Sequence, residues 1–97
     1  MIPQRATEIM ETVSNYSHIP MDEITSQSRT ANLVLYRHLA MYFLRSKTTL
    51  SLQDIAYAVG ASNHATVIHA LQKLNGLIMI GDSKVKKPFQ ELSELLN

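Results

Sequence analysis

The chain has 97 residues, room for one domain with a single modest core. Hydrophobic residues make up 45% and charged residues 18%, a globular composition, and the absence of cysteine excludes disulfides, thiolate chemistry and zinc-finger sites. The net charge is +1, no apolar run reaches the about 18 residues of a membrane span, and the charged N-terminal segment lacks the apolar stretch of a signal peptide, so a cytoplasmic protein is expected.

Pro3 stands where a first-turn proline would, and Ile9, Val13 and Tyr16 follow at helical spacing, which predicts an amphipathic helix over residues 4–16. In the turn that follows, Pro20 can start a short helical segment that points Ile19 and Ile24 inward. QSRTAN then reads as a polar loop. NLVLYRHLAMYFLRS is apolar almost throughout, too long for an ordinary strand and too short to span a membrane. It predicts a central core helix over residues 32–46 whose polar exceptions, Arg37, His38 and Arg45, fall on one side with Met41 between them.

Ser51 followed by Asp54 forms a near capping box, opening a helix that runs to about Val59 and buries Leu52, Ile55 and Val59. Gly60 stops it, and Asn63 caps the next helix, which carries Val67, Leu71, Leu74 and Ile78 on one stripe. A short helix, a tight turn with glycine and a longer helix over residues 52–80 make a helix-turn-helix. Gly81 breaks the chain before a last helix packing Phe89, Leu92 and Leu96, with Pro88 near its first turn. The tyrosines Tyr36, Tyr42 and Tyr57 are expected in the core or at its edge. The whole predicts one all-α domain over residues 1–97, with five to six helices.

Charge is unevenly spread. Residues 1–28 set Arg5 against Glu8, Glu11, Asp22 and Glu23, whereas residues 29–73 hold Arg29, Arg37, Arg45, Lys47 and Lys73 against Asp54 alone. A basic middle around a helix-turn-helix points to double-stranded DNA. In that motif the start of the second helix touches base edges, which here means Ser62, Asn63, His64, Ala65 and Thr66. Asn and His can hydrogen-bond bases, an asparagine pairing with adenine, and the Ala65 and Thr66 methyls can pack on thymine. Arg37, Arg45 and Lys47 are candidates to clamp the flanking phosphates.

LVLYRHLAMYFLR followed by SLQDIAYAVGASNHATVIHAL resembles the C-terminal DNA-binding domain of the bacterial replication initiator DnaA, a Trp-repressor-like helix-turn-helix, over roughly residues 6–80. The resemblance implies that Asn63, His64, Ala65 and Thr66 read bases in the major groove while Arg29 reaches into the adjacent minor groove. It places Arg37 at the DNA surface, with His38 where the family usually has glutamine, and Arg45 and Lys47 on or beside backbone-contacting positions. Ser62 joins the backbone-contacting set. Of the family's Arg-Asp-His-Thr-Thr segment only His64 and Thr66 are kept, and its arginine-rich loop keeps only Arg29. An altered target sequence and weaker, less salt-dependent binding are therefore expected.

There is no GxxxxGK[ST] phosphate loop and no room for an ATPase domain, so the chain reads as an excised or stand-alone relative and not as an initiator itself. No paired carboxylates or activated nucleophile suggest an enzyme. His64 and His69 are five residues apart, poor spacing for a shared metal, so no metal, cofactor or small-molecule substrate is expected. The competing reading is a protein-interaction or self-association module that has lost DNA binding. Convergence of Arg29, Arg37, Arg45 and Lys47 around the start of the 63–80 helix favours DNA; a divided basic face, with Leu35 and Tyr36 exposed, favours protein.

Overall fold

Six helices and no strand make up residues 4–97, the part described by the computed structural model: α1 (Gln4–Ser17), α2 (Met21–Ile24), α3 (Ala31–Lys47), α4 (Leu52–Ala58), α5 (His64–Met79) and α6 (Ser83–Leu95). Pro3, expected to open the first helix, lies outside the described residues.

Helix α3 is the axle. It packs against α1, α2, α4 and α5, and α6 closes the other side against α1 and α5. Leu39, Ala40, Met41, Phe43 and Leu44 are buried in its middle, where an apolar helix is enclosed on most sides, and only its last turn emerges again with Arg45 and Ser46 exposed. Ile9 and Val13 of α1, Ile24 of α2, Ile55 of α4 and Leu74 of α5 fill the space around it. Phe89 of α6 reaches in at 5.2 Å from the Tyr42 ring, edge-on, and 5.9 Å from Phe43. The hydroxyl of Tyr16 donates to Glu91 Oε1 at 2.6 Å, tying α1 to α6 at the rim.

The local start and stop signals act as expected. Ser51 Oγ accepts from Asp54 N at 3.1 Å to open α4. After α4, Gly60 takes a left-handed φ of +76°; its N–H donates to Tyr57 O, and that of Ala61 to Ala56 O. The same arrangement recurs at Gly81 (φ +68°) beyond α5.

Two expectations need correction. Pro88 is not in the first turn of the last helix: Asp82, accepting from Lys84 N at 2.9 Å, starts α6 at Ser83 and places Pro88 in its second turn. Its missing N–H leaves one rung of the helix open, which burial of Val85 and Leu92 on the same helix outweighs. Tyr57 is not in the core. It stands 69% exposed on α4, because Ile55, Ala56 and Val59 already form the inward face.

Candidate nucleic-acid interface

The turn between α4 and α5 is anchored from outside the motif. A Cβ on Gly60 would lie 2.1 Å from Thr25 O, so the end of α2 is in contact with the turn backbone. Gln27 Nε2 donates to Gly60 O at 3.3 Å. The helix-turn-helix is thus locked to the loop that precedes α3, and the orientation of α5 relative to that loop is set by backbone contacts.

At the start of α5, Ser62, Asn63, His64, Ala65 and Thr66 are all exposed. Asn63 is extended, and its Oδ1 accepts from Ala65 N at 3.0 Å and Thr66 N at 3.3 Å. That cap has a chemical consequence. Bidentate pairing of asparagine with adenine needs the amide oxygen as well as the nitrogen. Here the oxygen is committed to the helix, and only Nδ2 is left to offer, as a donor. The expectation of adenine pairing through Asn63 therefore does not fit the capped geometry.

Arg29 is exposed on the loop before α3, and with Gln27, His38, Ser62 and Thr66 it lines a depression of about 320 Å³. A wider groove of about 880 Å³ continues past it, with Arg29, His38 and Lys73 above a floor that includes Leu74 and Leu77. Lys73 was not among the expected contacts. It lies seven residues beyond Thr66, two helical turns along the same face of α5, and that spacing was the available signal. His38 is half-buried, and burial together with the charges of Lys73 and Arg37 pushes its pKa below the ordinary histidine value. It is a neutral imidazole near pH 7, so it meets a phosphate as a hydrogen-bond donor and not as a cation.

Arg37 is placed otherwise than expected. Its Nε donates to Ile24 O at 2.7 Å and its Nη1 to Ser28 O at 3.1 Å, while Nη2 is shielded from solvent and has no partner. Two of its nitrogens are thus committed to the protein, although the half-buried side chain still lines the depression it shares with Arg29, Ser62 and Thr66. Met41, which falls between the basic residues on that side of α3, is only 1% exposed, and it lines the floor where Val59, Gly60 and Ala61 approach α3. The α4–α5 turn therefore covers the middle of that face.

The basic residues consequently fall into two groups. Arg29 and Lys73, with neutral His38 between them, lie near the first half of α3. Arg45 and Lys47 occupy its last turn, about 10–14 Å along the helix from His38, where they also complement the negative end of the helix dipole. Lys47 is four residues ahead of Ser51, the cap of α4. The division of the basic face is one half of the pattern expected for a protein partner; the other half is not found, since Leu35 and Tyr36 are half-buried against the core. Among the described residues the only ion pair is Arg5–Glu8 at 3.4 Å, so Arg29, Arg45, Lys47 and Lys73 carry no carboxylate partner. Among the described residues no group of three or more histidines and carboxylates stands at metal-binding spacing, and no helix is long and apolar enough to cross a membrane.

Residues 6–74 match the family described as the bacterial dnaA protein helix-turn-helix. A chromosomal replication initiator protein DnaA from Enterococcus faecalis is 36% identical over 90 residues, which is 93% of this chain and 20% of that protein. The chain thus spans about a fifth of the length of that relative. A solved structure described as a DNA replication initiation factor superposes with a TM-score of 0.71 at 30% identity, covering 95% of this chain and 26% of that one. This chain, six-helical and all-α, thus shares its fold with the matched part of that structure. With the family matched over most of its length, this chain belongs to the bacterial DnaA helix-turn-helix family.

Proposed function

We propose that the chain is a sequence-preferring module for double-stranded DNA, related to the part of the initiator that binds its DNA box, with no ATPase activity of its own. The observation that carries this reading is the exposed start of α5, with Arg29 and Lys73 unpaired beside it on one side. A helix N-terminus projecting from a helix-turn-helix fits the major groove, and unpaired arginine and lysine fit the flanking phosphates. His64 and Thr66 read bases, with Ala65 offering its methyl to thymine and Asn63 its amide nitrogen. Arg29 reaches the neighbouring minor groove. Lys73, Arg45 and Lys47 hold phosphates, while Ser62 and the neutral His38 contribute hydrogen bonds to the backbone.

The test is fluorescence anisotropy against a short duplex carrying an initiator-type box and against a scrambled duplex, at low and near-physiological salt. With three phosphates held by cations, log K falls with log[salt] at a slope of roughly −3. Preference for the box supports an initiator-like target despite the altered recognition segment. Equal, salt-sensitive binding to both leaves DNA as the partner with a different sequence, to be found by selection from random duplexes. No binding to either at low salt sinks the proposal. It would favour a protein-interaction role, for which Met79 and Ile80, 86% and 76% exposed at the end of α5, are the apolar surface available.

A further inference from the structure

The sequence places Arg37 in the middle of a basic segment, yet the structure commits two of its guanidinium nitrogens to backbone carbonyls. Its two bonded nitrogens reach the carbonyls at either end of one short stretch: Ile24, the last residue of α2, and Ser28, one residue before Arg29. A guanidinium is a rigid planar fork, so two carbonyls bound through Nε and Nη1 are held at a fixed separation. Thr25, at the start of that segment, is held by its bonds to Met21 and by its contact with the Gly60 turn, whereas residues 26–28 have little else to order them. Gln27 makes one contact to Gly60, and Ser26 and Ser28 make hydrogen bonds that stay within the loop or reach back only to Glu23. Arg29 itself is exposed, with no ion-pair partner among the described residues. It nevertheless lines the same depression as Ser62 and Thr66 at the start of α5.

From this we infer that Arg37 is a positioning residue. It staples the 24–28 segment to α3 so that Arg29 is presented at a set place beside α5, and it does so without touching DNA. The inference rests on the reading of the chain as a duplex-binding module with Arg29 at the DNA surface. A lysine in place of Arg37 keeps the positive charge but cannot span both carbonyls, whereas a direct phosphate contact would tolerate lysine well. That difference separates the two roles.

The experiment compares the intact chain with Arg29→Ala, Arg37→Lys and the double variant, each first shown to be folded by its thermal transition. One readout needs no DNA: amide hydrogen exchange at residues 25–30 is expected to speed up in Arg37→Lys, while amides around Leu39 and Leu74 keep their protection. The second is affinity for the preferred duplex and for duplexes altered at single base pairs. Arg29→Ala is expected to weaken binding roughly 10- to 100-fold, the size of a lost base-edge contact. Arg37→Lys should lose discrimination at the same base pairs while keeping it at those read by His64 and Thr66, and the double variant should bind no more weakly than Arg29→Ala alone.

Additive losses, or an Arg37→Lys variant that binds like the intact chain, would overturn the positioning role, as would unchanged exchange in the 25–30 loop. If the intact chain binds no duplex, the DNA reading has failed; faster exchange in Arg37→Lys would then still establish the staple itself, and unchanged exchange would remove that too.

Discussion

Replacing Gly60 with alanine probes the contact that fixes the helix-turn-helix to the rest of the fold. Two penalties add. Holding a non-glycine residue at φ +76° costs about 1–2 kcal/mol. The new Cβ would also lie 2.1 Å from Thr25 O and 3.0 Å from Thr25 C, against main chain and not the tip of a flexible side chain. Relief requires the end of α2 to move off the turn, disturbing Ile24, which is fully buried, and the Gln27–Gly60 hydrogen bond. Overpacking of this kind costs about 1–3 kcal/mol. The combined loss is about 3 kcal/mol, a large part of the roughly 5–15 kcal/mol that holds such a domain folded. At about 4–8 °C per kcal/mol for a domain of this size, Tm falls by about 12–24 °C.

Gly76→Ala is the internal control. Gly76 is helical and exposed, and a Cβ there meets nothing within 4 Å, so alanine gains about 1 kcal/mol of helix propensity and raises Tm. Both variants are followed by circular dichroism through thermal and urea unfolding. If Gly60→Ala proved within about 1 kcal/mol of the original protein, the close approach of Thr25 to the turn would be wrong, and the account of how α5 is oriented would go with it.

Four further outcomes are expected. His38 has a folded-state pKa below its unfolded value, so the unfolded chain takes up more protons in acid; stability from this source is present above pH 6.5 and is lost as pH falls below it. Urea titrations between pH 7 and 5 should show that slope in the original protein and a flatter one in His38→Gln. Tyr16 has its pKa raised to about 12, first by burial and then by its hydrogen bond to Glu91, so its contribution is lost between pH 10 and 12, and Tyr16→Phe should lessen the alkaline sensitivity. Lys73→Ala should weaken binding to all duplexes about equally and make the salt slope shallower by about 1, whereas a change in base preference would show that Lys73 reads sequence. Asn63→Asp keeps the cap but turns the free atom from donor to acceptor, so selection from random duplexes should shift one position towards cytosine; an unchanged preference would remove Asn63 from the base-reading set.

Most of the helices and the helix-turn-helix were legible in the sequence, because their signals are local. A capping side chain bonds N–H groups two or three residues on, as Ser51 and Asn63 do, and a left-handed glycine favours the end of a helix; the Asp82 cap of α6 uses the same local chemistry but was not recognised in the sequence. Family membership was legible for a related reason: its marker residues lie within two nearly contiguous stretches. The layout of the basic face was not legible. Helix α3 is apolar on nearly every side, so its periodicity does not say which side the α4–α5 turn will cover. Only tertiary packing turned Arg37 onto the carbonyls of Ile24 and Ser28 and separated Arg45 and Lys47 from Arg29. Packing likewise brought Lys73 on α5 across to His38 on α3. Counting charges along a chain gives their sum, and the angle at which two helices cross decides which of them meet.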